Sequence, residues 1–309
     1  MSDLQNLHRR AVELIADRWP LIRGGLLNEQ SSDAELLPLA AQVLGAYQTL
    51  RGEGDEALTK GLESFAHISF DFMRLQSRFM RKGVYRATEP GRINEDLYQS
   101  SEKMEGYYLD GLLLTYAFWP NHTRILKFFR EQFVSDLPLD GHLLEVGTGH
   151  GLMAVEALSM RDGLRYVGVD ISPSSLHTTA LHFERAGVDP ARTSLLAGDA
   201  TDPGLDLNAP TGGFHAVMCC EVLEHVREPQ RVLASLYDAL RPSGRAFITT
   251  VANLEAEDHV YLYNNAEHIR EHVRAAGFTI EQECCLGLPG YDHPTIEPLN
   301  YAAVLLRAT

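Results

Sequence analysis

No apolar run in the 309-residue sequence is long enough to cross a bilayer. The most apolar stretch, residues 111–119, is far shorter than the about 20 residues that a membrane helix needs. The opening residues, MSDLQNLHRR, also lack the apolar core and small-residue cleavage site of a secretory signal. These absences predict a cytoplasmic protein that does not bind a membrane.

Basic residues are scarce relative to acidic ones. Lys and Arg total 27 against 42 Asp and Glu, which gives a formal net charge of −15. Because proteins bind nucleic acids through clustered Lys and Arg that face the phosphates, this balance argues against a general nucleic-acid-binding surface. A cationic or small substrate is easier to reconcile with this negative charge than a polyanion is.

Cysteine is scarce as well, with four residues in two adjacent pairs, Cys219–Cys220 and Cys284–Cys285. Neither pair has the C-x-x-C spacing of a zinc knuckle or a thioredoxin-like redox site. Both pairs lie in apolar, strand-like runs. We therefore expect buried, reduced thiols in a cytosolic protein.

The sequence divides into two parts with different patterns. Residues 1–135 carry apolar side chains at helical spacing, which predicts an all-helical domain that serves as a lid or a dimer interface. The segment 136–141, with its Pro and Gly, marks the boundary to a second domain at 136–309. The predicted helices of the first part lie before Trp19, at 33–50 with Asp33 as N-cap, at 55–81, at 94–118 and after Pro120.

Beyond Gly141, strand-like and helix-like segments alternate. This alternation predicts an α/β domain with a mainly parallel sheet and right-handed crossovers. The predicted strands are 142–147, 165–170, 193–197, 214–220, 244–251, 278–286 and 299–307. The predicted helices between them are 150–160, 173–187, 228–240 and 265–276.

A glycine-rich turn follows the first predicted strand, with Gly147, Gly149 and Gly151. Glycines let a backbone turn sharply and approach a ligand closely, but the turn alone suits a dinucleotide, an adenosyl cofactor or no ligand. Asp170 ends the second strand, where a carboxylate can accept hydrogen bonds from both hydroxyls of a ribose. The ribose belongs to NAD as well as to an adenosyl cofactor, so this position does not distinguish them. Asp199 follows the third strand, where it can accept from an adenine amine. Its alternative role is that of a turn residue or helix cap.

From Gly141 onward the sequence resembles the class I S-adenosylmethionine-dependent methyltransferases, in the branch that contains ubiquinone-biosynthesis-type enzymes. The matching segments are EVGTGHG at 145–151, Asp170, GDA at 198–200, CEVLEHV at 220–226, RPSGR at 241–245 and AGF at 276–278. The resemblance implies a Rossmann-like, seven-stranded, mostly parallel sheet whose last strand is inserted antiparallel. The two terminal strand-like runs match that hairpin.

The resemblance also implies S-adenosylmethionine as cofactor and assigns roles to single residues. The three glycines would flank the methionine and the ribose. Asp170, with Ile171 beside it, would hold the ribose, and Asp199 with Ala200 the adenine end. Glu221 would lie near the methionine amino group, and Glu145 would support the loop.

Histidines are the predicted catalytic residues. Methyl transfer requires the exclusion of water, the alignment of donor and acceptor, and often a base. His225 and His259 follow the fourth and fifth strands, and ligands bind at the carboxyl ends of such strands. The alternative for His225 is a packing role below the site. Together with His293, from the loop between the last two strands, they form a predicted site for Zn²⁺ or Fe²⁺.

A metal at this position would suit one chemistry in particular, the C-methylation of a 2-oxo acid. With its added N-terminal helical domain, the chain resembles in architecture the natural-product 2-oxo-acid C-methyltransferases of this superfamily. Its net negative charge would tolerate a cationic acceptor such as 2-ketoarginine. The alternatives are O- or N-methylation of a small acceptor without a metal, and a non-catalytic protein that binds an adenosyl ligand. A dehydrogenase is a more distant alternative. Aromatic residues before the boundary either line the pocket or bury the helical part against the core. Because apolar faces of such helices commonly pair between chains, we also expect a homodimer. These aromatic residues are Tyr107, Tyr108, Tyr116, Phe118 and Trp119.

Overall fold

The computed structural model describes residues 2–22, 35–85, 90–199, 207, 209–291, 293 and 295–308. In this part of the chain every helix is too short or too polar to span a bilayer. Two predicted positions, the N-cap Asp33 and the adenine contact Ala200, lie outside the described residues.

The described residues form one seven-stranded sheet. Its strands are β1 His142–Val146, β2 Arg165–Asp170, β3 Thr193–Ala197, β4 Phe214–Cys220, β5 Leu240–Ala252, β6 Phe278–Gly287 and β7 Leu299–Arg307. They lie in the order β3-β2-β1-β4-β5-β7-β6. Neighbouring strands from β3 to β5 are parallel, whereas β7 runs antiparallel to both β5 and β6. The predicted mostly parallel sheet with an antiparallel last strand is therefore confirmed.

Helices connect the parallel strands. Two of them begin at side-chain caps: Ser172 accepts from the backbone N–H of Ser175, and Asn265 accepts from that of His268. β5 begins before the predicted position because Leu240 pairs with Phe214 across a bulge. The helices of this part are α9 Leu152–Met160, α10 Pro173–Arg185, α11 Pro229–Ala239 and α12 Ala266–Ala275.

The part before the sheet is helical. Its α-helices are α1 Asp3–Arg18, α2 Pro20–Ile22, α3 Leu37–Arg51, α4 Asp55–Lys82, α5 Pro90–Ile93, α6 Ser101–Lys103, α7 Leu109–Phe118 and α8 Pro120–Phe128. The single helix predicted over 94–118 is wrong, because two π-helical turns, Asn94–Tyr98 and Met104–Tyr108, flank a break at Gln99 and Ser100. Contacts made in the folded chain fix this break. Gln99 donates to the carbonyl of Ile171, and Ser100 caps the next turn.

The helical part and the sheet share a hydrophobic core. Phe129 and Phe133, which follow α8, pack on Phe247 of β5 with ring centroids 4.9 and 5.5 Å apart. Phe118 of α7 lies in the same core and contacts Phe65 of α4. Burial of these rings holds the helical part over the sheet.

Gly111 allows α7 to lie close to α4. A Cβ at this position would come within 2.8 Å of the Ser64 carbonyl oxygen and 2.5 Å of Ile68 Cγ1. Since the Ser64 oxygen belongs to backbone, the helices must separate to accept it. We expect Gly111→Ala to lower the free energy of unfolding by about 1–3 kcal/mol in urea titrations.

Gly106→Ala is the matched control, because a Cβ there would meet no atom within 4 Å. It should leave stability unchanged or slightly raised, since alanine restricts the unfolded chain. Equal stability of the Gly111 and Gly106 variants would contradict the close approach of α7 and α4.

Candidate active site

A cavity of about 750 Å³ lies at the carboxyl ends of the parallel strands. Its floor includes Val146, Asp170, Cys220 and Val251, from the ends of β1, β2, β4 and β5. Side chains of the helical part line the opposite side. Ligands of open α/β sheets bind at this edge. The helical side chains in the lining are Ile68, Asp71, Phe72, Asn94, Tyr98, Met104, Tyr107, Tyr108, Leu109, Leu112, Thr115, Tyr116, Trp119, Pro120, Asn121 and His122.

The glycine-rich turn forms one wall of the cavity. Gly147 has φ +81°, and a Cβ there would lie 2.4 Å from Val222 Cγ2. Gly149 has φ +51° and has open space where its side chain would be. Gly151, with φ +75°, begins α9. The left-handed conformation and the open side of the turn allow a ligand to approach the backbone.

Asp170 holds this turn. Its Oδ2 accepts from the Gly149 N–H at 3.1 Å and from the Thr148 hydroxyl at 3.4 Å. Its Oδ1 accepts from the Ser172 N–H at 2.8 Å. Burial raises the pKa of Asp170, and these donors oppose the rise. The carboxylate also lines the cavity, so its remaining lone pairs are available to a ligand hydroxyl.

The rim beyond β2 and β3 is more open. Ile171 is 41% exposed and Asp199 is exposed, and both line the cavity next to Asp170. The structure therefore brings Asp170, Ile171 and Asp199 to the edge of the cavity that the glycine-rich turn also borders.

Glu145 lies beneath the turn. It is buried, and the Tyr166 hydroxyl donates to its Oε2. Burial raises the pKa of Glu145, and the hydrogen bond from Tyr166 opposes the rise, which leaves a pKa of about 8. This position fits the predicted support of the loop, while the residue also lines the cavity.

The raised pKa of Glu145 predicts a pH dependence of stability. Between its ordinary value of 4.5 and about 8, the unfolded chain loses this proton while the folded chain keeps it. Stability therefore falls as pH rises through that range. Glu145→Gln keeps an acceptor for Tyr166 and cannot ionise, so the fall between pH 5.5 and 8 should be smaller in urea titrations. The exposed Glu131→Gln is the control, and it should match the wild type.

Glu221 follows β4 in a strained conformation. Its φ is +52°, which is rare for a residue with a side chain. Its N–H lies 3.1 Å from the carbonyl oxygen and 3.0 Å from the hydroxyl of Thr249. Strain of this kind persists where neighbouring contacts enforce it, and it is concentrated at functional sites. Here it accompanies a carboxylate that lines the cavity.

His225 and His259 lie side by side, with ring centroids 5.0 Å apart. Nδ1 of His259 donates to the Leu254 carbonyl at 2.7 Å, since a carbonyl can only accept. Its Nε2 therefore carries the lone pair in the neutral ring. Burial, with His225 adjacent, lowers the pKa of His259 to about 4. His259 is thus neutral at pH 7 and has a free lone pair.

A third member of this group, Glu224, was not among the residues predicted from the sequence. Its Oε2 accepts from the Thr250 hydroxyl at 2.7 Å, whereas its buried Oε1 has no hydrogen-bond partner in the described part of the chain. That Oε1 lies 3.8 Å from Nε2 of His225. One atom each of Glu224, His225 and His259 lies within 4.8 Å of the other two. Its position directly before His225 in the sequence was the one feature that could have indicated Glu224.

The structure does not bring His293 to this group. His293 is exposed and does not line the cavity. Its Nδ1 accepts from the backbone N–H groups of Thr295 and Ile296, both at 3.2 Å. These bonds within its own loop occupy the nitrogen, and Glu224 rather than His293 lies beside His225 and His259.

Asp258 links His225 to the helical part. Its Oδ2 lies 3.3 Å from Nδ1 of His225 and accepts from the hydroxyls of Tyr98 and Tyr108. Both tyrosines end the π-helical turns described above, and such turns are frequent at functional sites. Tyr107, Tyr116 and Trp119 line the cavity too. Phe118 is buried in the core instead.

Comparison with known proteins identifies the sheet domain. Residues 144–246 match the family model described as a methyltransferase domain. The ubiquinone biosynthesis O-methyltransferase of Chromobacterium violaceum is 32% identical over 127 residues, which cover 41% of this chain and 51% of that protein. The matched part of the sheet domain is therefore similar to methyltransferases. It spans about half the length of the curated relatives it matches.

Solved structures share the fold of the sheet domain. An O-methyltransferase family protein from Burkholderia thailandensis has a TM-score of 0.55 at 13% identity, over 81% of this chain and 71% of that one. The phosphoethanolamine N-methyltransferase 2 of Haemonchus contortus, in complex with S-adenosylmethionine, has a TM-score of 0.50 at 17% identity. That match covers 69% of this chain and 60% of the other.

Proposed function

We propose that this protein transfers the methyl group of S-adenosylmethionine to a small acceptor molecule. The cofactor would occupy the edge bordered by the glycine-rich turn, Asp170 and Asp199. The acceptor would occupy the space between His225, His259 and the helical part, with the buried Glu224 behind His225. Both regions belong to one cavity, which supports direct transfer between the two ligands.

We further propose that the acceptor is a 2-oxo acid and that the reaction is a metal-assisted C-methylation. The observation that carries this proposal is the buried Oε1 of Glu224, which has no hydrogen-bond partner among the described residues and lies 3.8 Å from Nε2 of His225. Two imidazoles and one carboxylate are the ligand set of many Fe²⁺ and Zn²⁺ sites. A metal there would act as a Lewis acid toward the ketone and acidify the adjacent C–H bond.

The remaining contacts of these side chains suit ligands of a metal. Nδ1 of His259 is held by Leu254, and Nδ1 of His225 lies next to Asp258. Such hydrogen bonds fix the tautomer and leave Nε2 free to bind. Thr250 holds the other oxygen of Glu224 in place. The residues present therefore fit a divalent metal.

The charge of the cavity supports an acceptor with a cationic side chain, such as 2-ketoarginine. Its described lining contains eight Asp and Glu residues and one Arg. Burial raises the pKa of Tyr107 to about 12, and the negative charges of Glu257 and Asp71 contribute to the rise. Both carboxylates therefore act on the same ring. A guanidinium bound near these two carboxylates would gain charge-assisted hydrogen bonds.

O-methylation of a small acceptor without a metal is the second candidate, because the matched relatives are ubiquinone biosynthesis O-methyltransferases. N-methylation belongs to the same class. Dimerisation through the helical part, the absence of nucleic-acid and membrane partners, and a cytoplasmic location stay predictions.

The test is metal analysis of the purified protein followed by a screen of acceptors with S-adenosylmethionine. The screen includes 2-oxo acids with cationic, neutral and acidic side chains, together with phenols and amines. We expect bound Zn or Fe and a product methylated at carbon. Full activity of metal-free protein on a phenol or an amine would favour the second candidate. Tight cofactor binding without any methylated product would instead favour a binding protein.

A further inference from the structure

The base for the proposed reaction must be a group other than His225 and His259. If both are metal ligands, their Nε2 lone pairs are engaged. The following inference rests on the proposed function, since it concerns the acceptor's proton. A base for this reaction would be a neutral side chain of the cavity lining that has a free lone pair.

His122 has this property and comes from the helical part. It lies in the first turn of α8 and lines the cavity. Its ring contacts Tyr116 and Trp119, with both pairs of centroids 5.1 Å apart. Electrostatic interactions couple His122 to Glu221, at the end of β4, and to His150 of the glycine-rich turn. Because His122, His150 and Glu221 all line the cavity, His122 borders the space that we propose for cofactor and acceptor.

Hydrogen bonds fix the tautomer of His122. The Thr115 hydroxyl lies 2.6 Å from the Leu112 carbonyl oxygen and 2.7 Å from Nδ1 of His122. Since the hydroxyl has one proton and the carbonyl can only accept, the proton points to Leu112. The hydroxyl oxygen then accepts from Nδ1–H of His122. In the neutral ring, Nε2 carries the lone pair.

Two opposing effects act on the pKa of His122. Burial lowers the pKa of His122, whereas the carboxylate of Glu221 opposes that shift. A neutral imidazole can accept a proton at pH 7, and the adjacent carboxylate stabilises the imidazolium that forms.

The other groups in this region are less suited to act as a base. Nδ1 of His150 accepts from the Leu152 N–H at 3.2 Å, so its Nε2 carries the proton and can only donate. Burial raises the pKa of the Cys220 thiol and of the Tyr116 hydroxyl. Both therefore stay protonated at pH 7.

We propose that His122 is the catalytic base, which removes the proton from C3 of the 2-oxo acid. The C3–H bond breaks and the proton moves to Nε2. The electron pair from C3 forms the bond to the methyl carbon while the bond between that carbon and the sulfonium sulfur breaks. The products are the C-methylated 2-oxo acid, S-adenosylhomocysteine and protonated His122, which loses its proton to water.

The test compares His122→Asn with the wild type on the 2-oxo acid that the screen identifies. We expect kcat to fall about 100-fold or more, as for the loss of a general base. Enzyme-catalysed exchange of the C3 protons in D₂O should be lost to a similar extent. The affinity for S-adenosylmethionine, measured by calorimetry, should not change.

Two further variants separate catalysis from folding. Thr115→Val keeps the imidazole but removes the acceptor that fixes Nδ1–H, so its kcat should fall less than that of His122→Asn. His8→Asn removes another buried histidine of the helical part, which donates to the Ala117 carbonyl and does not line the cavity. Its kcat should match the wild type.

Imidazole nitrogen NMR tests the tautomer without any acceptor. We expect an unprotonated Nε2 for His122 in the protein saturated with S-adenosylmethionine. A protonated Nε2, or wild-type kcat and proton exchange in His122→Asn, would overturn the assignment of the base. A wild-type protein that methylates no 2-oxo acid would instead overturn the proposed function, and the NMR result would still decide the tautomer.

Discussion

Asp170→Ala should weaken the binding of S-adenosylmethionine by roughly 10- to 150-fold, because one charged acceptor serves two purposes. Its oxygens accept from Gly149, Thr148 and Ser172, which holds the glycine-rich turn in place. Its remaining lone pairs face the cavity, where a ribose would offer two hydroxyl donors. Hydrogen bonds to a charged group contribute about 1.5–3 kcal/mol, which corresponds to this range of affinity.

The measurement is calorimetry with S-adenosylmethionine at constant pH and salt. Asp189→Ala is the matched control, because Asp189 also accepts a backbone N–H, from Ala191, but does not line the cavity. The control should bind the cofactor like the wild type. Urea titrations of both variants show how much of the effect is a loss of stability. An unchanged affinity of the Asp170 variant would refute the ribose contact.

The sheet and the glycine-rich edge of the cavity were predictable because local signals determine them. Strands alternate with helices, and the glycines of the turn are needed where the backbone has positive φ, as at Gly147 and Gly149. Asp170 was recognisable because it ends β2, one strand away from that turn. In each case a short segment contains both the residue and the reason for its position.

The side of the cavity that faces the helical part was less predictable because residues far apart in the sequence form it. His293 has a histidine's chemistry, but its loop places it outside the cavity. Tyr98 and Tyr108 meet Asp258 although about 150 residues or more separate them, and the π-helical turns that carry them interrupt a helix that periodicity alone predicts as continuous. His122 gave no signal, because its tautomer depends on Thr115 one helix earlier.

Glu224→Gln should abolish the proposed metal-assisted reaction, with a fall in metal affinity and in kcat of at least about 100-fold. Changes to the partners of metal ligands already cost about 10- to 100-fold, and here a ligand itself is replaced. Gln can still accept from Thr250, so the local fold should persist. The amide NH₂ of the Gln would stand in place of Oε1, and it has no lone pair for a metal.

The control for this variant is Glu228→Gln, which removes a carboxylate that lines the cavity and lies outside the group of Glu224, His225 and His259. Metal content by elemental analysis and kcat on the 2-oxo acid should match the wild type in the control. In Glu224→Gln both should fall together, and added Zn²⁺ or Fe²⁺ should restore neither at concentrations that saturate the wild type. If Glu224→Gln lost metal but kept its kcat, the metal would have no part in methyl transfer, and metal-free O- or N-methylation would become the better explanation of the site.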